Sequence, residues 1–511
     1  MAQPKVSFTF GQGGSGRALA GFDHYSAMIA YQYGSAIDTD YTSIGDKIYT
    51  SIVDAESDGV INTCAEAVAA TSTQLVTAIG SNGDTITLTA ESWDGSTIDL
   101  GTYEKVSGDT TVTLVAAGVF AAINAKTYIH GFTAAAGTAG QYIITAPKTY
   151  GTWFNTKLTT NTIVGTIAVT NAAFTGGTIS PLAQYHYQIS EYFRIQPLGN
   201  LYFSIKFDDS ANAIGAFNTQ LQSDILSVQN AYSGQSRQFL CYNPYRTFAT
   251  STLTALKAAR TTLTTQYTPS VFGYVGGFTG ALSAQANTRA LVADGVTAII
   301  GQGLSGKALE LSKTQQQVIC QGGTWLGSIA LTTVSQSIGS VEEFPLSDGS
   351  ECDIAGFFDG TSYKTISTSL GDQLHDYGYT FMKHYQNVSQ TYWTGGNCAV
   401  SVSSDYAYME DNRTLDKAVR GVYASIVLLL NRKNSVKADG TLSEASLAAY
   451  KEKADLPLAQ MEREQDLSGY QTVVSSTEIV ATTGIIPITI KLLQQVIGRQ
   501  ISITLGFTAK L

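Results

Sequence analysis

The stretch whose reading decides the fold class is RQFLCYNPYRTFATSTLTALKAARTTLTTQYTPSVFGYVGG, residues 237–277. RQFLCYNPY reads as a strand, STLTALKAARTTLTTQ as an amphipathic helix and PSVFGYVGGF as a strand again. Strands alternating with helices predict an α/β layer around a central sheet. Downstream, GVTAIIGQG (295–303) continues as a strand and GKALELSKTQQQVICQ (306–321) as a helix. Upstream, QYHYQISEYFRI (184–195) sets its aromatics on both the helical and the strand period, so that segment stays open between the two.

Residues 50–180 have another texture. GDTITLTAESWDGSTIDLGTYEKVSGDTTVTLVAAGVFAAINA (83–125) reads as strand, turn, strand, strand and a short Ala-rich helix. GQYIITAP and NTIVGTIAVTNAAF add strands between Gly, Asn and Thr turns. This predicts a small β-rich domain inserted into the α/β part. It also holds four lysines against ten carboxylates, more than half of the net charge of −10.

After residue 370, YTFMKHYQNVSQTYWTGG (379–396) predicts long strands. A helix follows, with Thr414 as its cap and Leu415, Val419, Val422, Ile426 and Leu430 in one apolar stripe. In a second helix Thr441 and Glu444 match a capping box, and Pro457 predicts a kink or break.

The chain of 511 residues has room for three or four domains. Its acidity argues against nucleic acid as a partner, since phosphate binding needs basic stripes. Five dispersed cysteines without CxxC spacing read as buried thiols in a reducing compartment. The start lacks a signal-peptide pattern, and the longest apolar run, GVYASIVLLL (421–430), is about half a membrane span.

Chemistry-bearing motifs are missing. GQGGSG (11–16) is followed by Arg17-Ala18 instead of the Lys-Ser/Thr of a phosphate loop, and reads as a hinge. The five histidines lie far apart. His375 and His384, near Asp372 and Asp376, come closest to a cluster and read as surface or hydrogen-bonded interior groups. Several Asp-Gly steps, ESDGV, SWDGS, LSDGS, FFDGT and KADGT among them, read as turns. No catalytic residue, cofactor or metal ligand is assigned, which points to a structural role.

The ends pose a separate problem. KVSFTF alternates Val6, Phe8 and Phe10 with polar residues. RQISITLGFTAKL alternates Ile501, Ile503, Leu505 and Phe507 in the same way. Each is a half-buried strand by pattern, with no sequential partner. Both arms carry basic residues and no acid, which suits strands guarded against promiscuous pairing. Gly13, Gly14 and Gly498 flank them as candidate hinges.

The C-terminal 140 residues resemble the tail sheath proteins of contractile bacteriophage tails and related injection systems. The resemblance rests on SDYAYMEDNRTLDKAVR (404–420), DGTLS (439–443) with the late Met461, IIPITI (485–490) and the closing apolar strand. Residues 84–157 are similar to the β-rich inserted domain of phage-type sheaths, while the glycine-rich N-terminal arm and the middle third match no family motif.

The resemblance implies a multidomain α+β and α/β subunit. Residues 21–55 and 181–497 would form an α/β sheath core with a mixed sheet, its 370–497 part facing an inner tube. Residues 56–180 would be a sandwich-like outer domain, with strand arms at 1–20 and 498–511 exchanged with neighbouring subunits. It further implies a non-enzymatic helical homopolymer of stacked hexameric rings around a tail tube. Baseplate and terminator proteins would be its other partners, without direct nucleic-acid contact or membrane insertion. The sleeve would be assembled in the host cytoplasm, belong to a virion tail, and shorten to drive the tube through a cell envelope. Arg432, Lys433 and Lys437 are candidate tube-facing cations, although a solvated turn after a helix end explains them equally. Another assembly protein of a tube, capsid or surface layer, and a hydrolase with an unrecognised triad, are the competing readings.

Overall fold

The computed structural model describes residues 23–36, 41–503 and 505. Its centre is a mixed sheet of seven strands: β1 (Tyr25–Gly34), β2 (Lys47–Tyr49), β3 (Asn200–Asp209), β4 (Gln238–Thr247), β5 (Val271–Gly277), β6 (Val296–Ile299) and β7 (Tyr379–Thr380). Their order is β7-β6-β5-β4-β1-β3-β2. All neighbours run parallel except β2, which closes one edge antiparallel to β3. Parallel strands covered on both faces need apolar residues at every position, and β5 is buried throughout.

The alternation along β4 shows the two covers. Leu240 meets the helix Gly322–Leu331, and Tyr242 packs edge-on to Tyr185 of the helix Pro181–Ile195. Cys241, between them, lies beside Asp224 of the helix Ile214–Ala231 on the opposite face. The segment left open by its double period is therefore helical. Ser180 caps it by accepting from the Ala183 amide at 3.1 Å, and Pro181 occupies its first turn.

Residues 71–170 build a lobe with its own core. A four-stranded and a three-stranded antiparallel sheet enclose the helix Val112–Ala125, with Leu88, Leu100, Val119, Phe132 and Phe154 buried among them. Within 83–125 only two strands, Thr85–Glu91 and Thr97–Glu104, precede that helix where the sequence suggests three. TTVTLV belongs to the helix, whose Thr111 side chain accepts from the Leu114 amide. The lobe begins and ends side by side. Thr71 and Thr175 exchange backbone hydrogen bonds at 2.9 Å, and Thr178 Oγ1 accepts from the Val68 amide at 2.7 Å.

Other expectations change. The strand expected over 295–303 divides between β6 and a short pair with Ala355–Phe357. The helix expected over 306–321 stops at Thr314, before Gln316 adopts a positive φ of 50°. The long strands expected after 379 are a hairpin of three-residue strands. The glycine of every Asp-Gly step has positive φ, as turns require. All five cysteines are buried and free. Among the described residues, no helix is long and apolar enough to cross a membrane.

Candidate assembly surface

Residues 409–494 form two helices and a hairpin. They are labelled α1 (Met409–Ile426), α2 (Glu444–Arg463), β8 (Leu467–Val474) and β9 (Ile488–Gln494). The helix α1 starts five residues before Thr414, which is buried inside it and is not its cap. Ser443, not Thr441, caps α2 by accepting from the Ser446 amide. The helix then passes Pro457 without a break.

The buried face of α1 is polar. Asp416 receives two hydrogen bonds from Arg260, at 2.7 and 2.9 Å, and Asn412 receives a third. Arg413 donates to the Thr332 and Thr333 carbonyls, and burial pushes it down to about 10. Lys417 meets Asp466 at 2.6 Å, Glu464 at 2.9 Å and Asp23 at 3.1 Å. Burial alone would raise the Asp23 carboxyl, but Lys417 and Arg420 hold it below its ordinary value. These charges tie the root of β1 to the C-terminal region. Buried charges need such complete pairing, since an unpaired one is strongly unfavourable.

The apolar stripe of α1 faces an open groove. Val419, Val422, Ile426 and Leu430 line it with Leu458, Ile490 and Leu492, around a volume of about 450 Å³. Tyr267 and Tyr423 stack at its rim, with centroids 3.6 Å apart. The β8–β9 hairpin forms one side as a two-stranded sheet, and neither outer edge has a strand partner among the described residues.

Beyond β9, Arg499 Nη2 donates to Glu410 Oε1 at 2.6 Å, and its guanidinium lies 3.3 Å from the centre of the Tyr408 ring. Glu410 is 2 % exposed. Asp411 beside it is pushed up to about 6, by burial first and then by the Glu410 charge. Ile501, Ile503 and Leu505 follow, exposed at 81, 74 and 91 %. The described residues among them belong to no strand.

The arm residues Val6, Phe8, Phe10 and Phe507 and the hinges Gly13 and Gly14 lie outside the described residues. Gly498 is free of positive φ, and a Cβ there would meet nothing within 4 Å. Arg432 and Lys433 are exposed after α1, and Lys437 pairs with Glu444 at 2.6 Å. Sequence reasoning missed the contact of Arg499 with Glu410 and Tyr408, since Arg499 and Glu410 stand 89 residues apart in the chain. Among the described residues, no cluster of His, Cys, Asp and Glu is arranged to hold a metal ion.

A protein-family model described as DUF2586, C-terminal domain, matches residues 405–511. No curated protein matches the chain. Solved structures do. The contracted helical sheath of the anti-feeding prophage is 13% identical, with a TM-score of 0.44, covering 63% of this chain and 81% of that one. A chain of the six-fold symmetrised baseplate of the same particle is 13% identical, with a TM-score of 0.42, covering 64% and 80%. The contracted PVC sheath complex of an extracellular contractile injection system is 10% identical, with a TM-score of 0.41, covering 64% and 81%. The chain is similar in structure to contractile injection system sheath proteins.

Proposed function

We propose that the chain is the structural, non-catalytic subunit of a contractile sheath, joined to its neighbours by β-strand addition. The observation that carries this reading is the hairpin β8–β9. A two-stranded sheet is marginal alone, and among the described residues this one has no strand partner at either edge, beside an open apolar groove. The chain also ends in a segment with the alternating apolar face that such an edge accepts.

The energies are compatible. Fixing seven residues costs about 1–2 kcal/mol each, and five net hydrogen bonds return about 0.5–1.5 kcal/mol each. Burying Ile501, Ile503, Leu505 and Phe507, at about 1.5–3 kcal/mol apiece, makes up the difference.

In this reading the subunits form a helical sleeve around an inner tube, and contraction drives the tube through an envelope. The ends of the sleeve meet baseplate and terminator proteins. Gly13, Gly14 and Gly498 let woven strands rotate, the acidic lobe faces outward, and Arg432, Lys433 and Lys437 lie toward the tube. The sleeve would belong to a virion tail or a related injection particle. Electron microscopy tests the assembly. Wild-type protein should form hollow sleeves, and Ile503→Asp/Leu505→Asp should abolish them without lowering the melting temperature of the dilute subunit. Sleeves from the double variant, or only monomers from the wild type, would refute the reading.

A further inference from the structure

The root of the β-rich lobe carries an inference that stands apart from how subunits join. We propose that the lobe is a hinged arm: its loop 148–153 docks on the α/β core through a joint that opens and closes, while the neck at 68–71 and 175–178 stays paired.

The neck is narrow and regular. Thr71 and Thr175 exchange backbone hydrogen bonds at 2.9 Å, and the Thr178 amide donates to the Val68 carbonyl at 3.0 Å. Beyond the neck, the lobe is hydrogen-bonded to the core through one loop. The Thr152 and Trp153 amides donate to the Thr314 carbonyl at 3.0 and 3.2 Å. The Thr152 hydroxyl donates to the Gln315 carbonyl at 3.1 Å, and Lys148 Nζ to the Ala65 carbonyl at 2.6 Å.

That joint is incomplete. Thr314 and Gln315 are 1 and 0 % exposed, yet Thr314 Oγ1 and Gln315 Nε2 have no hydrogen-bond partner in the protein. Gly151 lies against the same two residues: a Cβ there would stand 2.8 Å from Gln315 Nε2 and from the Thr314 carbonyl oxygen. A third orphan, Glu66 Oε2, belongs to the same network. Its other oxygen accepts from Ser180 Oγ at 2.6 Å, and the Ser180 amide donates to Gln315 Oε1 at 2.7 Å. Roughly 90% or more of buried polar groups are paired in proteins, so three orphans at one joint are a concentrated exception. Closing the joint takes these groups out of water without supplying a partner, and opening it returns them. The lobe has its own buried core, so it can leave the joint without unfolding. The open arm bares the end of the helix Gly306–Thr314 and turns about the neck.

Hydrogen exchange of the full chain tests this in wild type, Thr314→Val and Thr152→Val, with circular dichroism to show that each is folded. Mass spectrometry reads peptides covering 150–156, where the joint protects the Thr152 amide. Valine keeps the shape of Thr314 and removes the hydroxyl that closing strands, so exchange should slow about tenfold. Thr152→Val removes a bond that holds the joint shut and should speed exchange about threefold. Peptides over 85–91 in the lobe and 238–247 in the central sheet should exchange alike in all three proteins. An unchanged rate at 150–156 in either variant would overturn the proposal. A change that spreads to 85–91 would overturn it too, because the lobe would then be unfolding and not swinging.

Discussion

Asp224 shows how a single buried carboxyl can record the state of the fold. It accepts a hydrogen bond from the Tyr31 hydroxyl at 3.1 Å, and burial pushes it from 3.8 up to about 6. The folded chain therefore binds more protons than the unfolded chain between about pH 4 and 6. Stability contributed by this group is full below that window and is lost as pH rises through it. Asp224→Asn keeps an acceptor for Tyr31 and removes the charge. It should raise stability at pH 7 by on the order of 1–2 kcal/mol, after allowance for partial solvent screening, and leave it unchanged at pH 4. Thermal melts at the two pH values check this. Residue-scale features of this kind are the least legible from sequence. The cysteines were read correctly as buried thiols, because dispersed cysteines have few alternatives. The polar face of α1 was not: Arg413, Asp416 and Arg420 are inside because their partners Thr332, Arg260 and Asp23 come from distant segments, which periodicity cannot reveal.

At the scale of elements, the helices Pro181–Ile195 and Gly322–Leu331 touch backbone to backbone. A Cβ at Gly323 would stand 1.9 Å from the Gln188 carbonyl oxygen, and one at Gly327 would stand 2.8 Å from that of Tyr192. The Gly323 amide also donates a hydrogen bond to Gln188 Oε1 at 2.6 Å. Gly323→Ala should force the helices apart and cost about 1–3 kcal/mol in urea unfolding. The same change at the exposed Gly108, where a Cβ meets nothing, should cost far less. Element type was legible where period and length agreed, as in β4, β5 and the helix between them. It failed where backbone strain or turns intervene. The positive φ at Gln316 ends one helix early, and the turn between His384 and Thr391 shortens the strands on either side. The helix Pro181–Ile195 did carry a readable signal in its Ser-Pro start, which outranks an ambiguous aromatic period.

At the scale of the whole molecule, the groove and the hairpin edges leave the C-terminal region less completed than the seven-stranded sheet. If another copy completes it, its stability must depend on protein concentration, whereas the central sheet's need not. Raising the concentration across the assembly threshold should slow hydrogen exchange in β8 and β9 and leave β4 and β5 unchanged. Mass spectrometry of exchanged peptides distinguishes the two regions. The layered α/β centre and the β-rich segment were legible because each has its own texture over many residues. The inverted amphipathicity of α1 was not, since an apolar stripe looks the same whether it meets the core or awaits a neighbour.

The side-by-side entry and exit of the lobe has a practical corollary. Thr71 and Thr175 are already hydrogen-bonded across the junction, so the hundred or so residues between them hang from one narrow neck. A splice there would need a tight turn and fresh partners for the Thr314 and Gln315 carbonyls, which the lobe now engages through Thr152 and Trp153, and for the Ala65 carbonyl, which it engages through Lys148. A foreign module whose termini sit as close together could be installed at that neck without redrawing the central sheet.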